Sequence, residues 1–249
     1  MEITGLLVDL DGTLYVGATP VEGACEALER LDSAGLTLRY VTNTTRKPRR
    51  AVYENLLSLG FDVGEKEILT LARTAVALVR GKTCFPLVDE LLLEDLGDVV
   101  LSDEEPDYVL VGDIGDRFDY AKLNTAFRYL MDGAELLALQ KNRYWQHSDG
   151  LSLDAGPFVA ALEYATGKTA TVVGKPERSF FELALREMGL TPHEVAMVGD
   201  DPESDVDGAR DAGLKGFQVR TGKYRPGTER AGADLVLESI ADLPEALGV

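Results

Sequence analysis

The chain has 249 residues, 45% hydrophobic and 27% charged, enough for one large domain or a core with a smaller companion. Its 43 acids against 25 bases give a net charge of −18, a field that argues against nucleic-acid or anionic-membrane partners. No apolar run reaches 18 residues, Met1 leads straight into a charged residue, and Cys25 and Cys84 stand alone. These features predict no membrane span, no secretory signal, no disulfide framework and a reducing, cytoplasmic setting.

Short apolar, β-branched runs alternate with helical patterns along the chain. Ile3–Asp9 predicts a buried strand, and Val21–Ala34 a helix with Ala24, Ala27, Leu28 and Leu31 on one face. Leu36–Thr42 predicts the next strand, followed by a helix at Arg49–Leu59 closed by Gly60. The middle third carries its own strands (Cys84–Val88, Tyr108–Val111, Glu135–Leu139) and helices (Tyr120–Leu130, Gly156–Thr166). Strands at Ala170–Val173, Glu194–Val198, Gly216–Val219 and Asp234–Leu237 follow, with helices at Ser179–Met188, Glu203–Ala212 and Ile240–Ala246. Such alternation predicts an α/β protein with a doubly wound parallel-sheet (Rossmann-like) core, its ligand site at the carboxyl ends of the strands. The core is expected over 1–78 and 172–249, with a smaller α/β domain inserted over 79–171.

The charge is uneven. Residues 1–78 carry a net −3, 79–171 a net −9 and 172–249 a net −6, and Asp89 to Asp107 holds nine acids and no base. Arginines outnumber lysines by 16 to 9. A solvated acidic face explains this, and so does adaptation to a high-salt cytoplasm.

Four segments at predicted strand ends carry chemistry. In Asp9-Leu10-Asp11-Gly12-Thr13 two carboxylates lie two residues apart, and such a pair is stabilised by a divalent cation between them. A turn with two solvated aspartates reads equally simply. Thr42-Asn43 offers neutral donors for phosphate oxygens or, alternatively, an ordinary helix N-cap. Gly174-Lys175-Pro176 places a lysine rigidly after an apolar run, where a surface turn is the competing reading. Gly199-Asp200-Asp201-Pro202-Glu203-Ser204-Asp205 again clusters acids, with Asp201 also suited to capping a helix that begins at Pro202.

Taken in order, these four segments resemble the four motifs of the haloacid dehalogenase-like hydrolase superfamily, over nearly the whole chain. The inserted domain resembles the α/β cap of its type II (NagD-like) branch. The strings ALEYA, VVGKP, VGDD and QVRTGKYRP resemble the phospholysine/phosphohistidine/inorganic pyrophosphate phosphatase group. In that group the position of Asp11 can be a serine, so the aspartate here also fits a general type II phosphatase.

The resemblance implies a Mg²⁺-dependent phosphatase acting on a small phosphorylated metabolite. Asp9 matches the nucleophile that forms an aspartyl-phosphate, and Asp11 the general acid and base. Mg²⁺ would be held by the Asp9 and Asp200 carboxylates and the Asp11 carbonyl, with Asp205 acting on the ion through water. Thr42, Asn43 and Lys175 would bind phosphate oxygens. Cap relatives carry a loop facing the active site at Tyr144–Gly150, which makes Trp145 and His147 candidates for specificity; the simpler reading is a packed tryptophan and an exposed histidine. Relatives also suggest a homodimer formed through the cap. Carbon–halogen chemistry, which needs no metal, and a phosphomutase fit less well. A silent binding module predicts a missing motif residue, and none is missing.

Overall fold

The computed structural model describes residues 3–147, 150–227, 230 and 232–249. The chain divides into two compact units. The first comprises Met1–Thr42, Arg49–Leu69 and Lys175–Val249, the second Asn43–Pro48 and Thr70–Gly174. The segment 79–171 lies within the second unit, which also takes in the loop after Thr42 and one further helix.

In the first unit β1 (Gly5–Asp9) leads through a small hairpin, β2 (Tyr15–Val16) and β3 (Thr19–Pro20), to α1 (Ala24–Ser33). Then come β4 (Thr37–Val41), α2 (Arg49–Ser58) and the two-residue β5 (Ile68–Leu69). The second unit contains α3 (Leu71–Leu78), β6 (Thr83–Leu87), β7 (Val100–Leu101), β8 (Tyr108–Val111), α4 (Tyr120–Met131) and β9 (Glu135–Ala138). It ends with the hairpin β10 (Tyr144–His147) and β11 (Gly150–Leu153), α5 (Gly156–Thr166) and β12 (Thr171–Val172). The chain returns to the first unit with α6 (Arg178–Met188), β13 (Val195–Gly199), α7 (Gly208–Asp211), β14 (Lys215–Val219), β15 (Leu235–Leu237) and α8 (Leu243–Leu247).

The first unit's six strands are all parallel, in the order β15-β14-β13-β1-β4-β5. Every residue of β1 and β13 is buried, as expected for strands covered on both faces, and this is why they read as continuous apolar runs. Leu6, Val8, Tyr40 and Val198 pack with Leu28 and Leu31 of α1 and Leu56 of α2. Each buried leucine contributes about 2 kcal/mol. The second unit has its own parallel sheet, β12-β9-β8-β6-β7, whose core joins Val109, Val111 and Leu136 to Leu130 of α4 and Val159 of α5.

One expectation is corrected. The run Ala170–Val173 is no core strand: Thr171 and Val172 pair with Leu137 and Ala138 of β9, at the edge of the second sheet. Partner choice depends on distant residues, which a four-residue run does not carry. Among the described residues no helix is long and apolar enough to cross a membrane.

Candidate active site

The site follows from sheet order. From β1 the chain runs outward through β4 to β5, then returns to β13 on the other side of β1 and runs outward to β14 and β15. The order reverses between β1 and β13, and the crevice beyond the carboxyl ends there is where open α/β sheets bind ligands. Val8 pairs with Val198 and Asp9 with Val41, so Asp9, Thr42 and Asp200 all emerge at the same end of the sheet.

Asp9, Asp200 and Asp205 converge there, with one carboxylate oxygen from each lying within 4.8 Å of the others. They are 8%, 1% and 1% exposed. The Lys175 ammonium, itself buried, donates to Asp9 Oδ1 at 2.5 Å and to Asp205 Oδ1 at 2.6 Å. Asp9 and Lys175 are 166 residues apart, so the fold alone brings them together.

Local geometry places each group. After β1, Gly12 takes φ 98°, a conformation costly for side chains, and its N–H closes a turn onto the Tyr15 carbonyl at 2.7 Å. A Cβ on Gly12 would overlap the Asp200 carboxylate, so glycine both makes the turn and admits the acid. Gly199, at the end of β13, admits Asp205, whose carboxylate occupies the space a side chain would fill. Asp205 rides on a π-helical turn, Pro202–Asp207, capped by Asp201, whose Oδ1 accepts the N–H groups of Glu203 and Ser204. The Asp201 N–H donates to Asp205 Oδ2 at 3.1 Å.

Burial dominates the electrostatics. It pushes Asp9 upward against the pull of Lys175, and Asp200 adds to the rise. Burial raises Asp200 to about 6, opposed by the Lys223 N–H and reinforced by Asp205. Burial likewise pushes Asp205 up, to about 7, with Lys175 opposing and Asp9 adding. For Lys175 burial works downward, yet the Asp205 and Asp9 carboxylates outweigh it and hold the ammonium above its ordinary range. Three carboxylates against one ammonium leave two negative charges, which suits one divalent cation. Oxygen donors of this kind suit Mg²⁺.

Of the residues singled out in the sequence, the structure gathers Asp9, Asp200, Asp205 and Lys175. Asp11 lies two residues past Asp9, exposed, and Thr42 is buried at the end of β4. Asn43 begins the segment that folds with the second unit, and its Oδ1 crowds Gly174 so closely that a Cβ there would stand 2.9 Å away. The side chains of Trp145 and His147 lie outside the described residues. Sequence reading missed Thr221 and Lys223. The Lys223 N–H donates to Asp200 Oδ2 at 2.6 Å, its ammonium to Asp201 Oδ2 at 2.8 Å, and the Thr221 hydroxyl to the Gly12 carbonyl. The available signal was their place just after a parallel strand, β14.

Fold and site together define a doubly wound α/β protein with a buried carboxylate–lysine centre at its switch point. A family model described as haloacid dehalogenase-like hydrolase matches residues 6–99, and a second, HAD-hydrolase-like, matches 172–243. Human haloacid dehalogenase-like hydrolase domain-containing protein 2 is 48% identical over 229 residues, covering 91% of this chain and 88% of that protein. The zebrafish (Danio rerio) phospholysine phosphohistidine inorganic pyrophosphate phosphatase is 40% identical over 235 residues, covering 91% and 86%. Among solved structures, p-nitrophenyl phosphatase from Archaeoglobus fulgidus matches with a TM-score of 0.91 at 27% identity, covering 99% of this chain and all of that one. The chain belongs to the haloacid dehalogenase-like hydrolase family and is an enzyme of that hydrolase class.

Proposed function

We propose that the protein is a Mg²⁺-dependent phosphatase that hydrolyses a small phosphorylated metabolite through an aspartyl-phosphate on Asp9. The observation that carries this reading is the buried Asp9–Asp200–Asp205 set, in which Lys175 bridges Asp9 and Asp205 and carboxylates outnumber the buried ammonium three to one. The Asp9 and Asp200 carboxylates and the Asp11 carbonyl would hold Mg²⁺, with Asp205 beside them. The ion would offset the repulsion between a carboxylate and a phosphate and stabilise charge on the phosphoryl group.

Lys175 fixes the Asp9 carboxylate through Oδ1 and opposes the upward push that burial gives its pKa. An Asp9 oxygen forms a bond to phosphorus as the bond to the leaving oxygen breaks, and Asp11 gives that oxygen its proton. The Asp11 carboxylate then takes a proton from water, whose oxygen attacks phosphorus. The bond to Asp9 breaks and orthophosphate departs. Exposure of Asp11 suits this work, since it exchanges protons with solvent between steps. Thr42, Asn43 and Lys175 are the candidates for holding the phosphate oxygens that do not transfer.

A second reading, hydrolysis of inorganic pyrophosphate or of phosphoamidates such as phospholysine and phosphohistidine, is favoured by identities of 37–40% to proteins named for it. Phosphate release from p-nitrophenyl phosphate, pyrophosphate and phospholysine with Mg²⁺ tests both. A wild-type rate no higher than that of Asp9→Asn on all three would sink the phosphatase reading.

A further inference from the structure

The residues after β14 do more than connect strands. Thr221, Gly222 and Lys223 form a strap that touches three parts of the centre. The Thr221 hydroxyl donates to the Gly12 carbonyl, one residue beyond Asp11. Gly222, at φ 58°, lies so close that a Cβ would overlap both the Asp200 carboxylate and the Gly12 Cα. The Lys223 N–H holds Asp200 Oδ2 at 2.6 Å, and the Lys223 ammonium holds Asp201 Oδ2 at 2.8 Å. Asp201 in turn caps the turn that carries Asp205.

We infer that the Thr221–Lys223 strap is a positioning element that sets the Asp200 carboxylate and the Asp11–Gly12 backbone for a divalent cation, an inference that rests on the metal-dependent reading above. An aspartate has two side-chain torsions, and the Lys223 N–H removes the rotation that would swing Oδ2 away. The Thr221 hydroxyl ties the backbone next to Asp11 to the same strap. Mg²⁺ demands near-ideal octahedral geometry, so small rotations of its donors cost affinity. Partners that orient metal ligands from outside typically contribute about 10–100-fold in affinity.

The Lys223 side chain is 69% exposed, and its ammonium is bound to Asp201 and not to the three gathered carboxylates. Its charge and its bond to Asp201 act on cation binding in opposite directions, and this gives the test a sign. Were Lys223 only a positive charge near the acids, removing it would strengthen cation binding. As a positioning residue, its loss weakens binding.

The experiment is calorimetric titration of the full-length protein with Mg²⁺, for wild type, Thr221→Val, Thr221→Ser, Lys223→Met and Lys223→Arg. Thr221→Val changes no charge and is expected to weaken Mg²⁺ binding about tenfold, with Thr221→Ser restoring most of it. Lys223→Met is expected to weaken binding several-fold, with Lys223→Arg restoring it. With p-nitrophenyl phosphate, the concentration of Mg²⁺ needed for half-maximal rate rises, while the substrate KM at saturating Mg²⁺ stays put. Thr221→Val and Lys223→Met within about twofold of wild type, or bound more tightly, would overturn the inference. Should Thr221→Val fail to fold, Thr221→Ala replaces it, since the Lys223 variants keep the N–H on Asp200 and probe the Asp201 contact. Wild type that binds Mg²⁺ without releasing phosphate defeats the phosphatase reading and leaves the strap to calorimetry; wild type that binds no Mg²⁺ overturns both.

Discussion

Both units are parallel sheets with buried aspartates near their carboxyl ends, yet those aspartates are treated differently. In the second unit Asp113 accepts from Arg46 at 2.6 Å and from the Gly115 N–H at 2.8 Å, and the half-buried Asp89 accepts from Arg117. Asp154 accepts from Gln140 and from its neighbour's N–H. In the first unit Asp9 and Asp205 share the one buried ammonium of Lys175, and the buried Asp200 beside them accepts from a backbone N–H, that of Lys223. Buried charge is tolerated only when compensated, so the second unit's paired acids read as architecture, and the first unit's cluster is the one whose donors fit a divalent cation. The comparison also separates buried from solvated charge, because the acid-rich run Asp89 to Asp107 lies wholly in the second unit.

The sharpest way to break the contrast is Asp9→Asn. Phosphate release from p-nitrophenyl phosphate is expected to fall by at least about 10⁴-fold, the loss of a nucleophile. Next comes Lys175→Met, which leaves Asp9 and Asp205 facing each other without their bridge. Denaturant melts should register a loss of about 3–5 kcal/mol without Mg²⁺, since one partner of a buried ion pair is gone.

The raised carboxyls predict a pH dependence. A carboxyl whose folded pKa exceeds its ordinary value contributes stability at low pH that is lost as pH rises through the folded value. Asp200 and Asp205, at about 6 and 7 against 3.8, therefore destabilise the metal-free fold above neutrality. Mg²⁺ takes the ionised set, so its stabilising shift in Tm should be larger at about pH 8 than at about pH 5. An equal shift at both would weaken the account. The smallest effect is expected at the balanced pair: Asp113→Asn should lower stability by about 1–3 kcal/mol while kcat stays within about threefold.

Much of this was legible in the residues. Alternating strand and helix patterns locate most core elements, and the order of four short segments names the carboxylates and Lys175. What escaped depends on distant partners. β5 is two residues long and is made a strand only by pairing with β4. The run at Ala170–Val173 has the composition of a core strand, and only its register with β9 assigns it to the other sheet. The helix expected at Glu203–Ala212 begins as a π-helical turn, because Asp205 must swing inward against Gly199. Lys223 stands in the string QVRTGKYRP with no role of its own, since its importance lies in which carboxylate its backbone N–H meets.

The central claim is that Asp9 accepts the phosphoryl group and Asp11 then activates water. Single turnover of p-nitrophenyl phosphate by Asp11→Asn with Mg²⁺ tests it most directly, because p-nitrophenolate leaves without a donated proton while hydrolysis of the intermediate still needs a base. Acid-quenched peptide mass spectrometry should then find one phosphoryl group on the peptide containing Asp9, released slowly. Turnover of this variant at the wild-type rate, or a phosphoryl group on any other peptide, would contradict the account.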